Sequence, residues 1–135
     1  MLNSINIHVL LNRKILNDFQ IAKQDIYESM REGRLFIAHD ALGSSKGFKY
    51  YFISDDGSDL VMGEEDLFQP GNLVVELPAD GDMRLIKDGK EVAAKRGMEA
   101  VFPVNERGVY RLETYKHVVF FGWRPWIFTN PIYLR

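Results

Sequence analysis

Cysteine is absent from this 135-residue chain, so there is no disulfide framework and no thiolate chemistry. Histidine is scarce: His8, His39 and His117 are the three, and none is paired at a spacing typical of metal ligands. Metal hydrolysis needs several imidazoles and carboxylates converging on one pocket to lower the pKa of a bound water, and three scattered histidines do not assemble one. No apolar run approaches the roughly eighteen residues that a membrane span needs. Met1-Leu2-Asn3-Ser4 lacks the basic start and apolar segment of a secretory leader. An excess of one charge is missing too: 17 Lys and Arg against 19 Asp and Glu leave a net −2. That balance gives no reason to expect nucleic acid or an anionic membrane as partner. With neither cysteine nor leader, the expected location is the cytoplasm.

What is present is an ordinary globular composition, 46% hydrophobic and 27% charged, in a length that suits one domain with one core. Ile5, Ile7, Val9 and Leu11 alternate as a short extended segment. One helix is expected from about Asp18 to Glu32. Asn17 followed by Gln20 forms a capping-box pattern, Phe19, Ala22, Ile26 and Met30 make an apolar stripe, and Gly33 suits the left-handed residue after the last turn. From Arg34 onward the chain reads as β. Leu35-Phe36-Ile37-Ala38 is apolar on both faces, as in a strand buried on both sides. Phe48, Tyr50 and Phe52 alternate with polar or smaller neighbours, as do Leu73, Val75 and Leu77, and then Tyr110, Leu112 and Thr114. Asp88-Gly89 between Lys87 and Lys90 is a strong hairpin signal. About seven or eight strands at this spacing predict a mainly β fold, an immunoglobulin-like β-sandwich with one amphipathic N-terminal helix on its side or end.

Chemistry-bearing clusters are weak. His39-Asp40 at a strand end reads as a loop-capping pair rather than a metal site. Asp55-Asp56-Gly57-Ser58-Asp59 places its glycine too early for a calcium loop and reads as a polar turn. Glu64-Glu65-Asp66 reads as a solvated loop. Gly43-Ser44-Ser45-Lys46-Gly47 lacks the order of a phosphate loop, and neither serine has an evident base. Trp123 and Arg124, beside Trp126, form an aromatic and basic group suited to a sugar or a protein interface. Trp126 is expected in the core, while Trp123 is left between loop and interface.

The C-terminal stretch Arg124-Pro125-Trp126-Ile127-Phe128-Thr129-Asn130-Pro131-Ile132-Tyr133-Leu134-Arg135 reads as a strand with Trp126, Phe128, Ile132 and Leu134 on one face. It is interrupted at Asn130-Pro131, because Pro131 donates no backbone hydrogen bond. A side-chain amide on an apolar face must be bonded, so Asn130 is expected to satisfy backbone groups at the kink. These residues resemble the Trp-Ile-Phe-Ser-Asn-Pro-Ile-Tyr ending of PHP-family metal-dependent phosphoesterases, the CehA/McbA-like metallohydrolases, with Thr129 where Ser is usual. Met30-Arg31-Glu32-Gly33-Arg34, Gly47-Phe48-Lys49-Tyr50, Met62-Gly63, Leu77-Pro78, Arg84 to Gly89 and Gly108 to Glu113 agree in order. The resemblance covers only the region after the catalytic barrel. It implies that residues 1–17 are a junction to an absent catalytic domain and that 18–135 form an accessory domain. It also implies that this chain is not itself an enzyme. The divalent metals would belong to the absent domain, with no cofactor here, and the partner would be that PHP domain, in cis or as a separate subunit. A face that once met a barrel also favours self-association. The alternative from the binding class is a carbohydrate- or ligand-binding sandwich using Trp123 with Tyr51, Tyr115 or Tyr133. An independent hydrolase would need a ligand set that the chain does not offer.

Overall fold

The computed structural model describes residues 5–135. The reading of Met1 to Ser4, and with it the start of the 1–17 junction, lies outside them. Strand β1 (Ile5–Val9) leads to helix α1 (Phe19–Arg31), and everything after is β: β2 (Leu35–His39), β3 (Lys49–Ser54), β4 (Asp59–Val61), β5 (Glu65–Asp66), β6 (Gly71–Lys87), β7 (Lys90–Val104), β8 (Gly108–Val118), β9 (Gly122–Thr129) and β10 (Ile132–Leu134). The fold is mainly β and sandwich-like, as the strand spacing predicts.

Its two layers are halves of one curled sheet, and the long β6–β7 hairpin runs through both. The first half of β6, Gly71 to Glu76, pairs with β3, while Asp82 to Lys87 pair with β8. Between them the ladder to β7 shifts register from Glu76 to Gly81, where Pro78 has no N–H to contribute and the strand can turn. The halves close on one core that includes Leu73, Val75, Met83, Leu112, Phe102 and Ile132. Tyr50 on β3 sends its hydroxyl to the carbonyl of Tyr110 on β8 at 2.9 Å, a bond linking the two halves, and burial pushes its phenol pKa upward. Asp88 and Gly89 both take positive φ at the β6–β7 turn, the geometry that Asp-Gly favours in a two-residue hairpin.

Four local expectations are corrected. Asp18, not Asn17, caps α1: its carboxylate accepts from the backbone N–H groups of Gln20 and Ile21 at 2.9 and 3.2 Å. The helical stripe is only partly the docking face: Ala22 and Ile26 are half-buried, but Phe19 is 72% exposed, Met30 is exposed too, and the one buried residue is Ser29. The helix is also held by polar contacts, Ser29 to Arg34 and Asp25 to Arg13. β2 is buried on one side only: Phe36 and Ala38 enter the core, whereas Ile37 is 44% exposed in an outer row between Ile7 and Phe128. In β9 a bulge leaves Trp126 as the extra residue, Thr114 facing Ile127 and Tyr115 facing Pro125. The alternation therefore changes phase, so Trp126, Ile127 and Thr129 are buried and Phe128 turns to the outer face.

Candidate functional site

The C-terminal kink joins three elements. Asn130 donates from Nδ2 to the Gly33 carbonyl at 3.1 Å and from its backbone to Leu35 at 3.2 Å, and the Pro131 carbonyl accepts from Gly63 at 2.7 Å. Gly33, with φ +75°, ends the helix, and Gly63, with φ +89°, passes so close that a Cβ there would lie 2.5 Å from the Glu32 carbonyl oxygen. Such an approach is open only to glycine. Thr129 accepts from the backbone of Leu112 at 2.9 Å, so its hydroxyl fills a place in the ladder that Pro131 and the kink leave irregular. Trp126 is 1% exposed and donates Nε1 to Gly43 at 2.8 Å. These bonds tie the C-terminal strands to the end of α1, to the β2–β3 connection and to the β4–β5 connection.

In a second group Asp40 caps its loop at Ser45, as expected of it, but the sequence did not show its link to Asn6 and His8, which lie far off along the chain. Asp40 accepts from Asn6 Nδ2 at 2.8 Å, from Ser45 Oγ at 2.7 Å and from Ser45 N at 3.1 Å. His8 Nε2 lies 2.8 Å from the same carboxylate and 3.2 Å from Ser45 Oγ, with its ring stacked on Phe36. Burial alone would raise the Asp40 pKa, but the bonds from Asn6, Ser45 and His8 prevail and hold it well below the usual carboxylate range. Serine, histidine and aspartate here do not form a relay. One imidazole nitrogen faces both partners, the serine hydroxyl is committed to the carboxylate, and Ser45 is 3% exposed. A nucleophile needs its base on the hydroxyl and the carboxylate on the far imidazole nitrogen. The cluster fastens β1 to the β2–β3 connection. The alternation of Ile5, Ile7 and Val9 signalled the strand, but nothing in the sequence signalled its partner.

The aromatic and basic group lies on the β8–β9 hairpin. Trp123 pairs with His117, their rings 5.3 Å apart, and the Arg96 guanidinium lies 4.7 Å over the indole. Lys116 and Arg124 face each other on the opposite side of the same hairpin, with Lys116 5.1 Å over Trp126. Tyr115 shares the outer face, against Phe128 and under Arg84. Burial and a hydrogen bond to Glu113 push its phenol pKa upward. Tyr51 and Tyr133 lie elsewhere, on β3 and β10, so of the three tyrosines Tyr115 alone shares a face with Trp123.

The remaining clusters are local. Asp56 accepts from Ser54 and Ser58 around Gly57 in a tight turn, and these bonds bring its pKa down to about 2. Glu64 accepts from Val61 N at 2.8 Å, and Glu65 meets Arg135. Arg34, 6% exposed, bonds Ser29 and Glu32 beside a polar cleft of about 300 Å³ bordered by Arg13, Asp25 and Glu28. Among the described residues no group of three His, Asp or Glu is placed to hold a metal ion, and no helix is long and apolar enough to cross a membrane. Compared with protein-family models, curated proteins and solved structures, the chain matches none of them.

Proposed function

We propose that this chain is a non-catalytic accessory domain of a PHP-type metal-dependent phosphoesterase, packing on its catalytic barrel and stabilising it. The reading starts from the resemblance of the C-terminal and hairpin motifs. One observation supports it further: the N-terminal region carries apolar surface that none of the described residues covers. Ile5 and Ile7 on β1, Ile15 and Leu16 in the connection and Phe19 on α1 are exposed, and Ile37 extends the row beside Ile7. Single exposed apolar side chains are ordinary, but several on touching elements mark a contact surface. In this reading the barrel ligates the metals, and the chain works with it in the cytoplasm.

Cross-linking in source cells, followed by mass spectrometry, tests the reading. Cross-links from Lys14 and Lys23 to a histidine-rich PHP-type domain, on the same polypeptide or another, are expected. A native protein whose Lys14 and Lys23 reach no such domain would overturn it.

A further inference from the structure

We infer that the tip of the β8–β9 hairpin is a docking element for an anionic lipid surface. This inference is independent of the barrel contact, which uses the N-terminal region. Val118 and Gly122 pair at the base of the loop, and Val119, Phe120 and Phe121 project beyond them. Phe120 is 98% exposed, with Val119 and Phe121 also mostly exposed. Phe120 also takes φ +71°, a region that bulky side chains enter only at an energetic cost and that glycine or asparagine would occupy more easily. The loop thus displays a phenylalanine where neither burial nor backbone preference asks for one.

The order of side chains along the hairpin gives the occupant its chemistry. Apolar residues are outermost, Trp123 comes next at 41% exposure, and Lys116 and Arg124 follow one residue further down. At about 3.4 Å per strand residue, the cations sit roughly 7 Å below the loop base. Hydrocarbon, interfacial aromatic and headgroup-level cation succeed one another in a bilayer over a comparable depth. Lys116 and Arg124 lie on one face of the hairpin, and Arg96 of β7 reaches over Trp123 on the other. No Asp or Glu occurs from Thr114 to Arg135. The net −2 of the whole chain conceals this segregation. A protruding, uncharged tip with a basic collar is complementary to a deformable anionic surface.

Co-sedimentation of the intact chain with phosphatidylcholine vesicles, with and without phosphatidylserine, is the test. Binding is expected only with phosphatidylserine, weakening as salt rises and shifting Trp123 emission to the blue. The double variant Phe120→Ser/Phe121→Ser should lose at least roughly tenfold in partitioning. Lys116→Gln and Arg124→Gln should each lose roughly fivefold. An unchanged circular-dichroism melt certifies that the serine variant is folded. No sedimentation, equal sedimentation with neutral vesicles, or undiminished binding by the folded serine variant would each overturn the inference.

Discussion

The body of the sheet and the N-terminal region before Arg34 are stabilised by different physics. In β6 and β8, Leu73, Val75, Met83 and Leu112 are wholly enclosed, and β6 has a hydrogen-bonded neighbour on both sides. In α1 the one enclosed side chain is a serine, the side-chain hydrogen bonds outward from the helix are Arg13–Asp25 and Ser29–Arg34, and Phe19, Ile21, Tyr27 and Met30 are exposed. Burying a large apolar side chain contributes about 1.5–3 kcal/mol, whereas an exposed ion pair contributes about 0–1 kcal/mol. Opening should therefore begin at the N-terminal region and leave the curled sheet standing.

The largest contrast comes from truncating one side chain in each region. Leu112→Ala should lower unfolding free energy by about 2–5 kcal/mol through lost burial and the cavity left behind. Phe19→Ala, at an exposed helix position, should change it by about 0.5 kcal/mol or less. Urea denaturation of both variants reads the difference directly. Comparable losses would mean that Phe19 packs against something this fold does not contain.

The same contrast explains which parts of the fold were legible in the sequence. Strands of the body announce themselves because burial on one face enforces a period of two, and Tyr50-Phe52, Leu73-Val75 and Tyr110-Leu112 all keep it. β9 broke the rule through a bulge, which is set by pairing with β8 and not by its own residues, so Phe128 and Ile127 exchanged faces. The helix was legible as a helix but not in its docking, because an apolar stripe predicts burial only when a partner surface exists. Of the candidate groups, the kink at Asn130-Pro131 was marked by a proline and an amide inside an apolar run. In the His8–Asp40–Ser45 cluster Asp40 was marked as a loop cap, but its link to His8 had no local mark, since it is made by strand pairing between segments more than thirty residues apart. At the β8–β9 turn, Trp123 and Arg124 stood out by residue type, but the order of tip, aromatic and cation appears only once the hairpin register is known.

The junction between the two regions is where they can be uncoupled. Gly63→Ala introduces a Cβ within 2.5 Å of the Glu32 and Gly33 backbone at a positive φ, so the backbone must shift, at about 1–3 kcal/mol. Asn130→Ala removes the bond to Gly33 and should lower stability by about 1 kcal/mol, visible as a reduced melting temperature. Both losses should appear first as faster hydrogen exchange around Gly33 to Leu35. An Asn130→Ala melting temperature equal to that of the parent would remove the amide from the account of the kink.

The smallest expected effect concerns β1 and acid. Because the Asp40 pKa is depressed in the folded state, its contribution is complete above the unfolded carboxylate value of about 3.9 and is lost as pH falls through the lower folded value. The bonds lost are those to Asn6 and His8 on β1 and to Ser45, so detachment of Ile5–Val9 should precede unfolding of the body. Among the described residues β1 is an edge strand whose neighbour is β2, and its release takes little from the core. NMR amide signals of β1 should therefore broaden or shift on acidification below about pH 4 while those of β6 and β8 stay put. Asp40→Asn keeps the shape and removes the charge, and should flatten this acid response while leaving the urea midpoint of the body nearly unchanged. If β1 in that variant responded to acid as the parent does, the carboxylate would not be what fastens the edge, and the stacking of His8 on Phe36 would have to carry it instead.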